Sequence, residues 1–262
     1  MKHRCFLAVA LAVSTAFSQE TPWPMPSPLP QPTIPGETTK PTPRIEWLQQ
    51  VQSFFDDAHK KADSIRLIFD GDSITRAWIG TGGTIWAERY AKRGAFDFAV
   101  GGDGTQHVLW RLSQGQVAGL HPKLVVLLIG TNNIRASTPT QVADGVRAVV
   151  AEYRKRCPES VILVQGIFPR GEKPTDPLRE TIRQINQLLA GLDDGQNVIF
   201  RDFGEKFLEA DGTLSKDIMP DFLHLSLKGY QIWAEAIQPI IDQYVPENPV
   251  TAEPPAASSS KP

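Results

Sequence analysis

Apolar positions along the chain fall into two alternating patterns. Short runs rich in β-branched residues recur at Ile65–Phe69, Phe96–Val100, Leu124–Ile129, Val161–Gly166 and Val198–Asp202. Each is too short for a helix and apolar at nearly every position, as strands buried on both faces are. Between them lie stretches with helical spacing, Ile85–Lys92, Thr105–Leu112, Gln141–Arg156 and Leu178–Leu192, with Ile45–Lys61 ahead of them and Ser226–Tyr244 behind. Trp47, Leu48, Val51, Phe54 and Phe55 share a face of the leading helix, and Leu227, Tyr230, Trp233, Ile237 and Ile241 share a face of the closing one. Alternating strands and helices predict an α/β domain, a parallel sheet with helices on both sides. Five strands suggest flavodoxin-like winding.

The two ends of the chain lack this pattern. Lys2, His3 and Arg4 precede an apolar run from Cys5 to Phe17, and Ala16-Phe17-Ser18 offers small residues for cleavage. Residues 1–18 therefore read as a secretory signal peptide, too short to span a bilayer, and predict a secreted or periplasmic protein. Prolines at nearly every second position make residues 19–43 an extended linker. Residues 246–262, rich in Pro, Ala and Ser, read as a disordered tail, which leaves one domain over residues 44–245. Loss of Lys2 and Arg4 with the leader takes the formal net charge from −2 to −4. Mild acidity without a long basic run argues against nucleic acid or an anionic membrane as the main partner. Cys5 leaves too, so Cys157 has no partner for an internal disulfide or a cysteine metal cluster.

Candidate chemistry gathers where strands end. Asp70-Gly71-Asp72-Ser73 follows the first strand, Gly101-Gly102-Asp103-Gly104-Thr105 the second and Gly130-Thr131-Asn132-Asn133 the third, and Asp221-Phe222-Leu223-His224 precedes the last helix. Open α/β sheets place ligands at this edge. Ser73 in a strand-to-helix turn is either a nucleophile or an N-cap. His59 falls on an exposed helix end, His121 in a polar turn and His107 in the glycine-loop helix. His224 follows Asp221 at a spacing by which one turn could orient the imidazole with the carboxylate, or Asp221 could simply cap the final helix. The Ser73 and Gly102 backbone N–H groups and the Asn132 amide are donors suited to an oxyanion, although turn glycines and Asx-turn asparagines are common.

Together, Gly71-Asp72-Ser73, Gly102, Gly130-Thr131-Asn132 and Asp221-x-x-His224 resemble the four sequence blocks of the SGNH (GDSL-type) hydrolases. The likeness spans about Ile65 to Tyr244. It is closest to the branch of the platelet-activating factor acetylhydrolase catalytic subunits, as Gly101–Leu112, Phe168-Pro169-Arg170-Gly171 and Asp221–Leu225 show. The resemblance implies a three-layer α/β/α sandwich and ester hydrolysis without metal or other cofactor. It implies Ser73 as nucleophile, His224 as base, Asp221 as its orienter, and Ser73, Gly102 and Asn132 as oxyanion hole. Ile74, Thr131 and Leu223 adjoin these groups in sequence and are expected to crowd the acyl pocket, favouring acetyl.

Ile74 departs from the leucine usual in the first block, and Asp97 and Ala99 from the asparagine and glycine common in that branch. The expected leader sets the chain apart from the cytosolic animal enzyme, so an acetylated glycan is the preferred substrate rather than a phospholipid. Trp78, Trp86, Trp110 and Arg170 are candidates for sugar contact or for core packing. Two other readings compete. A glycan-binding module could keep the fold without activity. A magnesium-dependent phosphatase could use Asp70 as nucleophile in Asp70-Gly71-Asp72, with Asp193-Asp194 as its acidic pair, although that pair precedes a strand. Oligomeric state is not legible in the sequence.

Overall fold

Five parallel strands, β1 Leu67–Gly71, β2 Ala95–Asp97, β3 Leu124–Leu128, β4 Val161–Gln165 and β5 Val198–Arg201, form one sheet in the order β2-β1-β3-β4-β5. This computed structural model describes residues 37–247, so the expected leader, most of the linker and most of the tail lie outside the described residues. The strand order is the flavodoxin-like one, with its switch point between β1 and β3. From β1 the chain winds to β2 on one side and then to β3 on the other, and a crevice opens at their carboxyl ends. Leu67 pairs with both Ala95 and Leu124, and Gly71 with Leu128.

Seven α-helices complete the described residues: α1 Leu48–Lys60, α2 Ser73–Arg76, α3 Gly83–Arg89, α4 Thr105–Ser113, α5 Pro139–Arg156, α6 Pro177–Ala190 and α7 Leu227–Tyr244. Local chemistry sets their starts. Thr138 and Gln141 exchange side-chain and backbone hydrogen bonds at the head of α5, with Pro139 beside them. Asp176 caps α6 at the Leu178 N–H. None of these helices is long and apolar enough to cross a membrane.

The core on one side of the sheet is aromatic. Trp78 is fully buried, with ring centroids 4.8 Å from Trp233, 4.7 Å from Tyr230 and 5.3 Å from Tyr90. The Trp233 indole N–H donates to Gln165 Oε1 at 2.6 Å, which ties α7 to the end of β4. Trp78 thus serves packing, as do Trp110, which is buried, and Trp86, which is half-buried against the same cluster.

Four expectations need adjustment. β1 starts at Leu67 rather than Ile65. β2 is displaced and short because the Gly71 N–H, which would continue the ladder to the Phe98 carbonyl, donates to Asp70 Oδ1 at 2.8 Å, leaving only single bonds from Phe98 and Val100 to β1. Leu227 opens α7 and is exposed, while Trp47, Leu48 and Phe54 are only half-buried. The last residues of the expected linker are docked rather than extended into solvent. Thr38 and Thr42 are buried, and the Thr42 N–H donates to the Gln106 carbonyl at 3.0 Å.

Candidate active site

Gly71 ends β1 against β3, where a side chain would collide with the Leu128 carbonyl. Asp72 then turns the chain into α2, its Oδ1 accepting the Ile74 N–H at 3.0 Å. Ser73 stands at the first helical position, half-buried at the sheet edge. Its Oγ lies 2.9 Å from His224 Nε2, and His224 Nδ1 lies 2.7 Å from Asp221 Oδ2. A carboxylate only accepts, so Nδ1 carries the proton and Nε2 is left to accept from the serine hydroxyl. The other Asp221 oxygen accepts the Leu223 and His224 N–H groups at 3.1 and 2.7 Å. This tight turn puts Phe222 at φ +59°, costing roughly 1–3 kcal/mol of backbone strain. The Phe222 carbonyl accepts from Gly171 N at 3.0 Å, which anchors the turn to the segment after β4.

Two loops complete the edge. The Asp103 N–H closes onto the Val100 carbonyl at 3.1 Å, with Gly102 between them at φ +80°, a conformation that suits glycine. A Cβ built on Gly101 would lie 4.0 Å from Ser73 Cβ, so this loop runs beside the serine. The Asn132 amide donates to the Asp103 carbonyl at 2.9 Å, which joins the loop after β3 to the loop after β2 and leaves one amide hydrogen over. No acceptor among the described residues takes the Ser73 or Gly102 backbone N–H. The serine, the histidine, the aspartate and both donor loops therefore meet at one place.

The remaining expected site residues are dispersed around it. Ile74 is 2 % exposed and packs into the aromatic core, its carbonyl accepting from the Tyr230 hydroxyl. Thr131 is buried, and Arg170 donates to its carbonyl and hydroxyl at 3.2 and 3.3 Å. Leu223 is half-buried against the core. Arg170 thus braces a loop. The sequence reading passed over Asn133, which accepts the Thr105 N–H at 3.0 Å and donates to Gln106 Oε1 at 2.9 Å. The sequence marks it only as the second asparagine of the pair; the fold buries it while Asn132 is exposed.

Asp70 is wholly buried and cannot serve as the phosphatase nucleophile. Its carboxylate receives Arg111 Nη2 at 2.8 Å, Gln116 Nε2 at 2.7 Å and the Tyr153 hydroxyl, facing away from the edge.

Other acids are buried with less support. Burial pushes the carboxyl groups of Asp72 and Asp97 up to about 7 and that of Asp103 up to about 6. For Asp97, Arg76 at 3.3 Å offsets part of this burial effect. Asp221 differs. Burial raises its carboxyl too, but hydrogen bonds from the His224 ring, the His224 N–H and the Leu223 N–H outweigh that and hold it below its ordinary value.

These shifts fix the sign of a pH dependence. An acid whose folded pKa is raised binds more protons folded than unfolded, so its stabilisation is full below the unfolded pKa and lost as pH rises through the folded one. Stability should therefore fall between about pH 4 and 7. Acids held low, such as Asp221 and Asp193, act at lower pH. Burial pushes the His107 ring down to about 4, which opposes the fall, but the three raised carboxyl groups outweigh it. The Asp97→Asn variant should lose part of this slope, by at most about 4 kcal/mol at pH 8 relative to pH 4. Urea midpoints across that range test this, and a flat wild-type profile would refute it.

Comparison with known proteins agrees with this geometry. The profile of the GDSL-like lipase/acylhydrolase family matches residues 69–232. The human platelet-activating factor acetylhydrolase IB subunit alpha1 is 37 % identical over 210 residues, covering 78 % of this chain and 88 % of that one. A structure described as a putative platelet activating factor from Streptococcus pneumonia superposes with TM-score 0.62 at 21 % identity, over 75 % of this chain and 94 % of the other. An acetylxylan esterase from Geobacillus stearothermophilus shares the fold, with TM-score 0.56 at 20 % identity over 68 % and 94 %. With a family profile over most of the domain and a relative matched along most of its length, the chain belongs to the GDSL-like lipase/acylhydrolase family and is a carboxylic ester hydrolase.

Proposed function

We propose that this esterase removes short acyl groups, acetyl foremost, from O-acylated carbohydrates through an acyl-enzyme on Ser73. The observation that carries the proposal is the hydrogen-bonded line Ser73 Oγ, His224 Nε2, His224 Nδ1, Asp221 Oδ2, at 2.9 and 2.7 Å. In this reading Ser73 Oγ attacks the ester carbonyl while His224 Nε2 takes its proton, and Asp221 holds the tautomer and stabilises the imidazolium. The carbonyl oxygen becomes an oxyanion, facing the Ser73 and Gly102 N–H groups and the spare Asn132 amide hydrogen. Collapse breaks the C–O bond, and His224 returns the proton to the departing alcohol. Water repeats the sequence on the acyl-enzyme and releases the acid.

The acetyl preference is supported by Thr131 and Leu223, which adjoin Asn132 and His224 in the chain and are buried and half-buried, while Ile74, next to Ser73 in the chain, is packed in the aromatic core. A secreted or periplasmic setting is supported by the charged and apolar start of the sequence, and it favours a glycan as acyl acceptor. Fluorophosphonate labelling with a chelator present should give one adduct, mapped to Ser73. The kcat/KM for an acetyl ester should exceed that for the octanoyl ester at least about tenfold, since each misplaced methylene in a tight pocket costs roughly 1–3 kcal/mol. Equal rates for the two esters would refute the pocket assignment, and an unlabelled folded protein would favour a binding module.

A further inference from the structure

The segment ahead of α1 reaches the loop that the proposed mechanism uses for its oxyanion. Thr38 and Thr42 pin it down: the Thr105 hydroxyl donates to the Thr38 carbonyl at 2.7 Å, the Thr38 hydroxyl donates to the Gln141 carbonyl, and the Thr42 N–H bonds Gln106. Gly145 of α5 leaves room for this passage, because a Cβ there would lie 2.8 Å from Thr38 Cβ. Beyond Pro43 comes Arg44, with its side chain 21 % exposed. Arg44 Nη1 donates to the carbonyl of Gly101, 57 residues along the chain, and lies 3.5 Å from Asp103 Oδ1.

The rest of the guanidinium is held as firmly. Nε and Nη2 both donate to Glu46 Oε1, at 3.1 and 3.0 Å, and the Trp47 ring lies 5.5 Å away. A Cβ on Gly102 would come within 2.8 Å of Arg44 Nη1, so the group packs directly against that glycine. Asp103 Oδ1 is buried and has no hydrogen-bond partner, which leaves Arg44 as its nearest compensating charge on this side. The two residues on either side of Gly102 are thus gripped by one cation. A planar, always-charged guanidinium suits that task, since Nε and Nη2 are fixed on Glu46 while Nη1 bonds the Gly101 carbonyl with its charge beside Asp103, an arrangement a flexible ammonium lacks.

We propose that Arg44 is a positioning residue for the oxyanion loop: its grip on Gly101 and Asp103 aims the Gly102 N–H at the developing charge, and the segment from Thr38 to Trp47 is therefore part of the catalytic apparatus. The inference rests on the esterase reading above. Arg44 does not touch the reacting atoms. Its contribution appears only when the oxyanion forms, so it should act on kcat and leave ground-state binding alone.

The test uses the full chain and an acetyl ester that the wild type hydrolyses. Arg44→Ala should lower kcat about 10- to 100-fold, the scale of a small misplacement in an active site, with KM within a factor of about three. Arg44→Lys should retain part of the loss-prone kcat, and added methylguanidinium should restore part of the alanine variant's activity. Circular dichroism must show each variant folded at the assay temperature. If Arg44→Ala does not fold, Arg44→Gln is assayed instead and read the same way. A folded variant with kcat within twofold of wild type overturns the inference and leaves the esterase reading standing. A wild type without turnover on any ester overturns both.

Discussion

Replacing Ser73 with alanine is expected to lower kcat by a factor of about 10⁴ to 10⁶, the loss typical of a removed serine nucleophile. The hydroxyl that lies 2.9 Å from His224 Nε2 has no substitute at this edge. Without it, His224 can at best activate a water for direct attack, and no acyl-enzyme forms. The donor loops do not depend on the Ser73 side chain: Asn132 still bonds Asp103, and Asp72 still caps Ile74. Substrate affinity and thermal stability should therefore stay close to wild type, which a titration with an unreacted ester and a melting curve can show. Retention of more than a few per cent of kcat would refute the assignment of Ser73. The contrast with a binding module is direct, since a module binds equally with either residue and turns over with neither.

The second large effect concerns stability. Arg111→Met is expected to destabilise the fold by about 3–5 kcal/mol at pH 8, the scale for removing one partner from a buried ion pair. Arg111 is 2 % exposed and serves two buried carboxylates, Asp70 through Nη2 at 2.8 Å and Asp103 through Nε at 3.0 Å. It also bonds Gln116, and Gln116 and Tyr153 both bond Asp70. Methionine matches the stem of the side chain but leaves Asp70 without its counter-charge and Asp103 with Arg44 alone, 3.5 Å away. Asp103, whose carboxyl burial already pushes up to about 6, would then take up a proton more readily, so the penalty should shrink toward pH 5. Because a domain has only about 5–15 kcal/mol to lose, part of the variant should be unfolded at 37 °C. Urea unfolding at the two pH values measures both parts, and a loss below about 1 kcal/mol at pH 8 would refute the argument.

The two predictions also divide what was legible in the sequence from what was not. Position alone left Ser73, His224 and Asp221 open between chemistry and helix capping, and it was the resemblance of four sequence blocks that singled them out. The five strands were readable as apolar runs, a one-dimensional signal. β2 ends earlier than apolar periodicity predicts because Asp70 diverts the Gly71 N–H, a competition between side chain and ladder that such periodicity does not register. Arg111 lay in plain view on α4, but its partners are 41 and 8 residues away, and no spacing rule joins them. Arg44 was hidden further still. It follows a proline-rich stretch without periodicity, and its partner is reached only once α4 and α5 have formed a surface for Thr38 and Thr42. Long-range polar contacts of this kind depend on the finished fold.

The turn that holds Asp221 and His224 has a consequence for how activity arises during folding. Those two residues are three apart and joined by two hydrogen bonds, with a third from the Leu223 N–H closing the same turn, so the acid and the base form a local unit just ahead of α7. Their partner serine is 151 residues earlier. Only one contact of the line from Ser73 to Asp221 thus spans the chain, and it closes when α7 docks its Tyr230 and Trp233 against Trp78 and Phe168. Refolding should regain helical signal and the local pair early, while ester turnover waits for that aromatic docking. The reaction rate is in this sense a gauge of tertiary assembly.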